Sequence, residues 1–154
     1  MARPDRKPGA LPRIVSIFAV FLLAAGTAAS SDAPVSVDLG VAVASNEGTR
    51  IDPQLADLRT KLKAMFDYTS YRMVDRRKRT LAVGETGEFA LPGGRSMRVT
   101  PAPSPGSKVR LAVQIMEGQR NLLTTTLGLS RGGMVLVGGP AHQNGVLILI
   151  ISAE

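Results

Sequence analysis

Hydrophobic and polar positions first alternate strictly. In "VSVDLGVAVAS", Val35, Val37, Leu39, Val41 and Val43 take one set of positions, and Ser36, Asp38, Gly40, Ala42 and Ala44 the other. A period of two sends successive side chains to opposite faces of an extended chain, so the segment predicts a half-buried strand. "NEG" at residues 46–48 supplies turn chemistry to end it. The period then changes. In "IDPQLADLRTKLKAMF", Leu55, Leu58, Leu62, Met65 and Phe66 fall at helical spacing on one face, while Asp57, Arg59, Thr60, Lys61 and Lys63 fall away from it. Asp52 is placed to cap this helix, and Pro53 to fill its first position, where a missing N–H costs nothing. A helix of about four turns with one apolar stripe should cover one side of a sheet.

Beyond it, turn signals recur about every eight to twelve residues, as in an all-β sandwich or barrel. "YTSYRMV" reads as a strand, and "RTLAV" and "EFAL" flank "GETG" as a hairpin. "PGG" turns into "RSMRVT", and "PAPSPGS" at residues 101–107 reads as a flexible loop. "KVRLAVQIM" alternates again, with Val109, Leu111, Val113 and Ile115 inward. "EGQR" turns into "NLLTTTLGL", "SRGG" into "MVLV" as a glycine-rich hairpin, and "GGPAHQNG" into "VLILIIS", with His142 at a loop tip. "VLILII" does not alternate, which suits a central strand covered on both faces. The expected fold is mainly β: an antiparallel β-sandwich of roughly nine strands with one amphipathic helix. The first strand, residues 108–116 and the last strand should form its core.

Residues 1–29 stand apart from this pattern. A basic, proline-containing start, an apolar run from Ile14 to Gly26 and small residues at Thr27, Ala28 and Ala29 have the layout of a secretory signal peptide cleaved after Ala29. The alternative is an uncleaved anchor, but the apolar stretch to Ala29 is sixteen residues where a spanning helix needs about 20. The expected organisation is therefore a signal peptide over residues 1–29 and one sandwich-like domain over residues 30–154. The destination is periplasmic or extracellular, or the membrane surface if the segment is retained. No other transmembrane span is expected.

Charge and composition narrow the function. The net charge of +7 falls to about +4 without the first 29 residues, from 15 basic and 11 acidic side chains. That is too mild for a specific nucleic-acid binder. The absence of cysteine excludes disulfides, thiolate metal sites and a Cys nucleophile. Gly128-Leu129-Ser130-Arg131-Gly132 matches the G-x-S-x-G elbow of serine hydrolases, yet no acid lies between Ser130 and His142. His142, the single histidine, has Gln143 and Asn144 rather than carboxylates as neighbours. No P-loop, dinucleotide fingerprint or calcium loop occurs, and no cofactor or metal is implied. Glu85, Glu88 and Glu117 leave room for a hydrolase with dispersed carboxylates. These readings point away from an enzyme without closing the question.

The sharpest charge feature is Arg76, Arg77, Lys78 and Arg79. Four successive cations attract an anionic surface such as lipid headgroups, acidic polysaccharide or nucleic acid, or simply protect a solvated strand edge against aggregation. "NLLTTTLGLSRGGMVLVGGP" resembles a motif of bacterial secretins, the outer-membrane channels of secretion systems, in which a polar strand, a glycine turn and an apolar strand ending in Gly-Gly form part of a hairpin. The matching residues are Thr124, Thr125, Thr126, Gly132, Gly133, Val135, Val137, Gly138 and Gly139. The resemblance covers about twenty residues and implies an envelope-associated β-domain; the whole layout looks like small exported bacterial β-domains. The expected function is a non-catalytic envelope protein that binds a protein partner or an anionic envelope component. The alternatives are the small hydrolase and a short outer-membrane β-barrel.

Overall fold

The computed structural model describes residues 33–154. The expected signal segment lies outside the described residues. Eight strands follow one another: β1 (Val35–Ser45), β2 (Ser70–Leu81), β3 (Gly87–Leu91), β4 (Arg95–Ala102), β5 (Lys108–Glu117), β6 (Arg120–Ser130), β7 (Gly133–His142) and β8 (Gly145–Ala153). Between β1 and β2 a 3₁₀ turn, Pro53–Leu58, leads into a short helix α1, Arg59–Met65. Two four-stranded antiparallel sheets result, ordered β2-β1-β8-β7 and β3-β4-β5-β6. The fold is the expected β-sandwich with a helix on it. The strands do not close into a barrel as the third reading required, because both sheets keep two open edges. No described helix is long and apolar enough to cross a membrane.

Alternation builds the space between the sheets. Val35, Val37, Leu39, Val41 and Val43 of β1 meet Leu147, Leu149 and Ile151 of β8, and face Phe89, Met97, Val99, Leu111, Val113 and Ile115 of the second sheet. The even positions of β1 and β8 face the other way. Ala42, Ala44, Ile148 and Ile150 form a second apolar layer with Leu55, Leu62 and Tyr71 beneath the helix. The run "VLILII" lacks alternation because β8 is covered on both faces. Each fully buried leucine or isoleucine contributes about 2 kcal/mol.

Tyr71 secures the helix to the sheet. The phenol is fully buried and donates to the carbonyls of Phe66 at 2.7 Å and Leu62 at 3.2 Å. The Leu62 carbonyl also accepts the Phe66 N–H at 2.9 Å, so the bond to the Phe66 carbonyl, just past the helix end, is the one that gives an otherwise open group its partner. Asp52 caps the 3₁₀ turn, accepting from the Gln54 N–H at 3.0 Å, but the expected four-turn helix is this turn followed by 7 α-helical residues that start after Leu58 without a side-chain cap.

Four further expectations are corrected. "YTSYRMV" and "RTLAV" are one strand, β2, so there are eight strands; the residues after it carry the chain to the other sheet rather than into a hairpin. "SRGG" is likewise no hairpin, because β6 and β7 belong to different sheets. Gly132 takes φ +73° there, and a Cβ on Gly133 would lie 2.7 Å from the Ser130 carbonyl oxygen, so only glycine makes this corner. β7 extends through Gly138, Gly139 and Pro140, leaving Gln143 and Asn144 as the turn; His142 is a half-buried strand-end residue paired with Gly145, not a loop tip. Finally, Met65 is 57% exposed. The helix stops there and Phe66, already extended at φ −131°, turns back to the sheet in its place.

Two outcomes follow. A chain ending at Gly145 loses the central strand β8 and should be unfolded by circular dichroism and proton NMR; a folded, soluble truncation would contradict this placement of β8. Tyr71→Phe should cost about 1 kcal/mol in urea unfolding, since it takes the hydroxyl donor from the part-buried Phe66 carbonyl. Burial raises the Tyr71 pKa. Its contribution is therefore complete below about pH 10 and declines as pH rises from there, where the unfolded chain ionises first. The difference between wild type and Tyr71→Phe should hold up to about pH 10 and shrink as pH rises above it; an unchanged difference there would contradict the buried phenol.

Candidate anion-binding surface

The four cations lie within β2, the edge of the first sheet, and register with β1 decides where each points. Arg76 opposes Gly40 and Lys78 opposes Asp38, on the face that carries the helix; Arg77 opposes Leu39 and Arg79 opposes Val37, on the face towards the second sheet. Strand alternation therefore splits the run into two pairs. On the helix face Arg76 is committed to Asp38 by two hydrogen bonds of 3.1 and 3.0 Å. That hydrogen bond and the Asp38 charge raise the pKa of the guanidinium. Lys78 lies 3.4 Å from the Glu154 carboxylate. On the other face Arg77 bonds Asp75 at 2.8 Å. Arg79 pairs with no carboxylate among the described residues; its guanidinium sits 5.7 Å over the Phe89 ring centroid, a cation–π arrangement across the open side of the sandwich.

Sequence reading missed two further arginines. A register shift between Val41 and Ala42 accommodates Val74 as a bulge, so Arg72, opposite Val43, still points to the face of Arg77 and Arg79. Arg50 is brought alongside by a parallel bridge between Ile51 and Tyr71 and by the Tyr71 N–H donating to the Arg50 carbonyl at 3.0 Å. Neither Arg50 nor Arg72 has an ion pair among the described residues. They share an open polar cleft of about 890 Å³ with Gln143, Asn144 and Glu47, whose carboxylate accepts from the Asn144 amide at 2.6 Å. Further along, Arg77 and Arg79 share a groove of about 500 Å³ with Arg95 and Arg98 of β4 and Glu88 of β3. From Arg72 to Arg79 the arginines of this side span about 23 Å of strand. Only the spacing Arg72, Arg77, Arg79, read with the bulge, could have revealed it.

The second sheet pairs three of its cations, Arg95, Arg98 and Arg120, with carboxylates, while Lys108 and Arg110 of β5 have no ion pair among the described residues. Glu117 accepts from Arg95 at 3.0 Å and Arg120 at 2.6 Å, and Arg98 meets Glu88 at 3.3 Å. The hydrogen bond from Arg95 and the adjacent Arg120 hold the Glu117 carboxyl below its ordinary range.

The catalytic candidates are not brought together. Ser130 ends β6 at the corner, and the Glu85 carboxylate accepts the Ala82 N–H at 2.8 Å within a turn. Glu88 and Glu117 are two strands and three residues apart in the second sheet. That is about 14 Å between backbones, and each carboxylate is held by arginines rather than by the other. No group of three or more His, Asp or Glu side chains suits a metal ion among the described residues.

No family model matches the chain, and no curated protein does. Among solved structures, the cryo-EM structure of the T2SS secretin XcpQ from Pseudomonas aeruginosa aligns with TM-score 0.35 and 11% identity, covering 78% of this chain and 56% of that one. A likeness of this size carries no argument about function. The hairpin motif is not reproduced: Thr124, Thr125 and Thr126 lie on β6, and Val135, Val137, Gly138 and Gly139 on β7 in the other sheet.

Glu117→Gln should destabilise the domain at neutral pH. Because the folded carboxyl titrates lower than the unfolded one, its stabilisation is present above about pH 4.3 and is lost as pH falls through the folded value. Wild type and variant should therefore converge in acid in thermal scans; a gap that persists to about pH 2 would contradict the paired carboxylate.

Proposed function

We propose that this chain is an exported, non-catalytic binding protein that holds an anionic lipid surface of the cell envelope along the β2 side of its sandwich. One observation carries the reading: Arg50, Arg72 and Arg79 stand on one side of the molecule without carboxylate partners, whereas Arg76 and Lys78 of the same strand are neutralised on the other face. Unneutralised guanidiniums are weakly hydrated, planar donors suited to phosphate oxygens. Each basic side chain near an anionic membrane contributes about 1 kcal/mol, with strong screening by salt. The export layout of residues 1–29 supports an envelope location.

Binding of the full chain to phosphatidylglycerol-containing vesicles, measured by sedimentation, tests it. Binding should exceed that to phosphatidylcholine vesicles and fall steeply with salt. Arg72→Ser with Arg79→Ser should weaken it about 30-fold, and Arg76→Ser with Lys78→Ser much less. Equal effects of the two pairs, or binding insensitive to salt, would refute the assignment.

A further inference from the structure

The sandwich has four strand edges, and three are guarded. β2 carries Arg72, Asp75, Arg76, Arg77, Lys78 and Arg79 and a bulge at Val74. β3 has only 5 residues. β7 loses its register between Gly138 and Ala141, where Pro140 has no N–H to offer. Charges, short length, bulges and proline are the devices that stop an edge from pairing with another chain. Apart from Arg120 at its start, β6 has none of the first, second or fourth: it runs 11 residues, and after Arg120 every residue to Ser130 is uncharged. Its irregularity, opposite Ile115 and Met116, is confined to one end and leaves Leu123 to Ser130 in regular register with β5.

The middle of β6 is also symmetric. Leu123-Thr124-Thr125-Thr126-Leu127 reads the same in both directions about Thr125. A two-fold interface sets each residue against its mirror position in the other copy, so the patch must complement itself. Antiparallel pairing centred on Thr125 sets Thr124 against Thr126 and Leu123 against Leu127. Register with β5 places Thr124 and Thr126 on the outer face, where both are exposed, and Leu123 and Leu127 on the core side, where both remain half-buried. The outer row would form cross-strand threonine pairs and the inner row would bury leucines, both favourable in a sheet. The same operation at β2 would set its cations against one another.

We propose that β6 is a self-association edge, and that a second copy of this chain pairs with it antiparallel about Thr125, joining two four-stranded sheets into one. This association is independent of the lipid reading, because β6 and β2 are edges of different sheets on opposite sides of the strand orders.

Sedimentation velocity of the full chain across a concentration series tests it, with three variants. Wild type should show a concentration-dependent dimer. Thr124→Lys with Thr126→Lys sets like charges opposite one another and should weaken association about 100-fold, leaving the thermal unfolding of the monomer little changed. Thr124→Lys with Thr126→Glu sets each lysine against a glutamate of the other copy and should restore the dimer. Slower hydrogen exchange of the β6 amides at high than at low wild-type concentration gives a readout that needs no variant. A monomer at every concentration, a dimer indifferent to the double lysine change, or failure of the Lys/Glu pair to rescue would each overturn the proposal; capture of an unrelated peptide on a monomeric chain would assign the edge to another partner.

Discussion

β1 and β8 are hydrogen-bonded neighbours with apolar cover on both faces, and the rest of the domain is arranged around that. The odd positions of both strands face the second sheet, and the even positions face the helix. Two small residues, Ala42 and Ala44, let Leu55 and Leu62 approach the sheet closely, and Tyr71 closes the layer with the buried hydroxyl that the helix end needs. No charged side chain is buried among the described residues. With both faces of the central pair occupied, charged groups are left to the rims and outer faces of the sandwich.

Those rims carry contrasting chemistry. Open edges invite pairing with other chains, and the sandwich answers differently at each. At β2 the answer is a line of cations, three of which are matched by carboxylates placed across the strands or beside them. Three arginines on the sandwich side have no such match. At β6 there is no charge at all over the uninterrupted stretch. One rim thus presents cations, and the other a neutral, symmetric strand.

Much of the fold was legible in residue periodicity, because β1 and β5 alternate cleanly and β8 is apolar without a break from Val146 to Ile151. The cap at Asp52 and Pro53 was legible for the same local reason. What was not legible depended on partners distant in sequence. β2 looked like two strands because Asp75 and the four cations carry no apolar alternation, yet pairing with β1 holds them extended. The corner at Gly132 and Gly133 looked like a hairpin turn because sequence does not reveal which sheet each flanking strand joins. The cation run was visible, but its division between two faces was not, and Arg50 and Arg72 were invisible as a pair. They meet only because of a bulge at Val74 and a bridge between Ile51 and Tyr71.

The central claim is that side-chain direction along β2, not local charge density, selects the groups that meet an anion. Arginine Nε–H resonances, followed by NMR while the full chain is titrated with nanodiscs containing phosphatidylglycerol, test this most directly. The account predicts that the signals of Arg50, Arg72 and Arg79 shift or broaden while that of Arg76, held by Asp38, stays in place. Equal perturbation of Arg76, or perturbation concentrated on Arg59 of the helix, would contradict it.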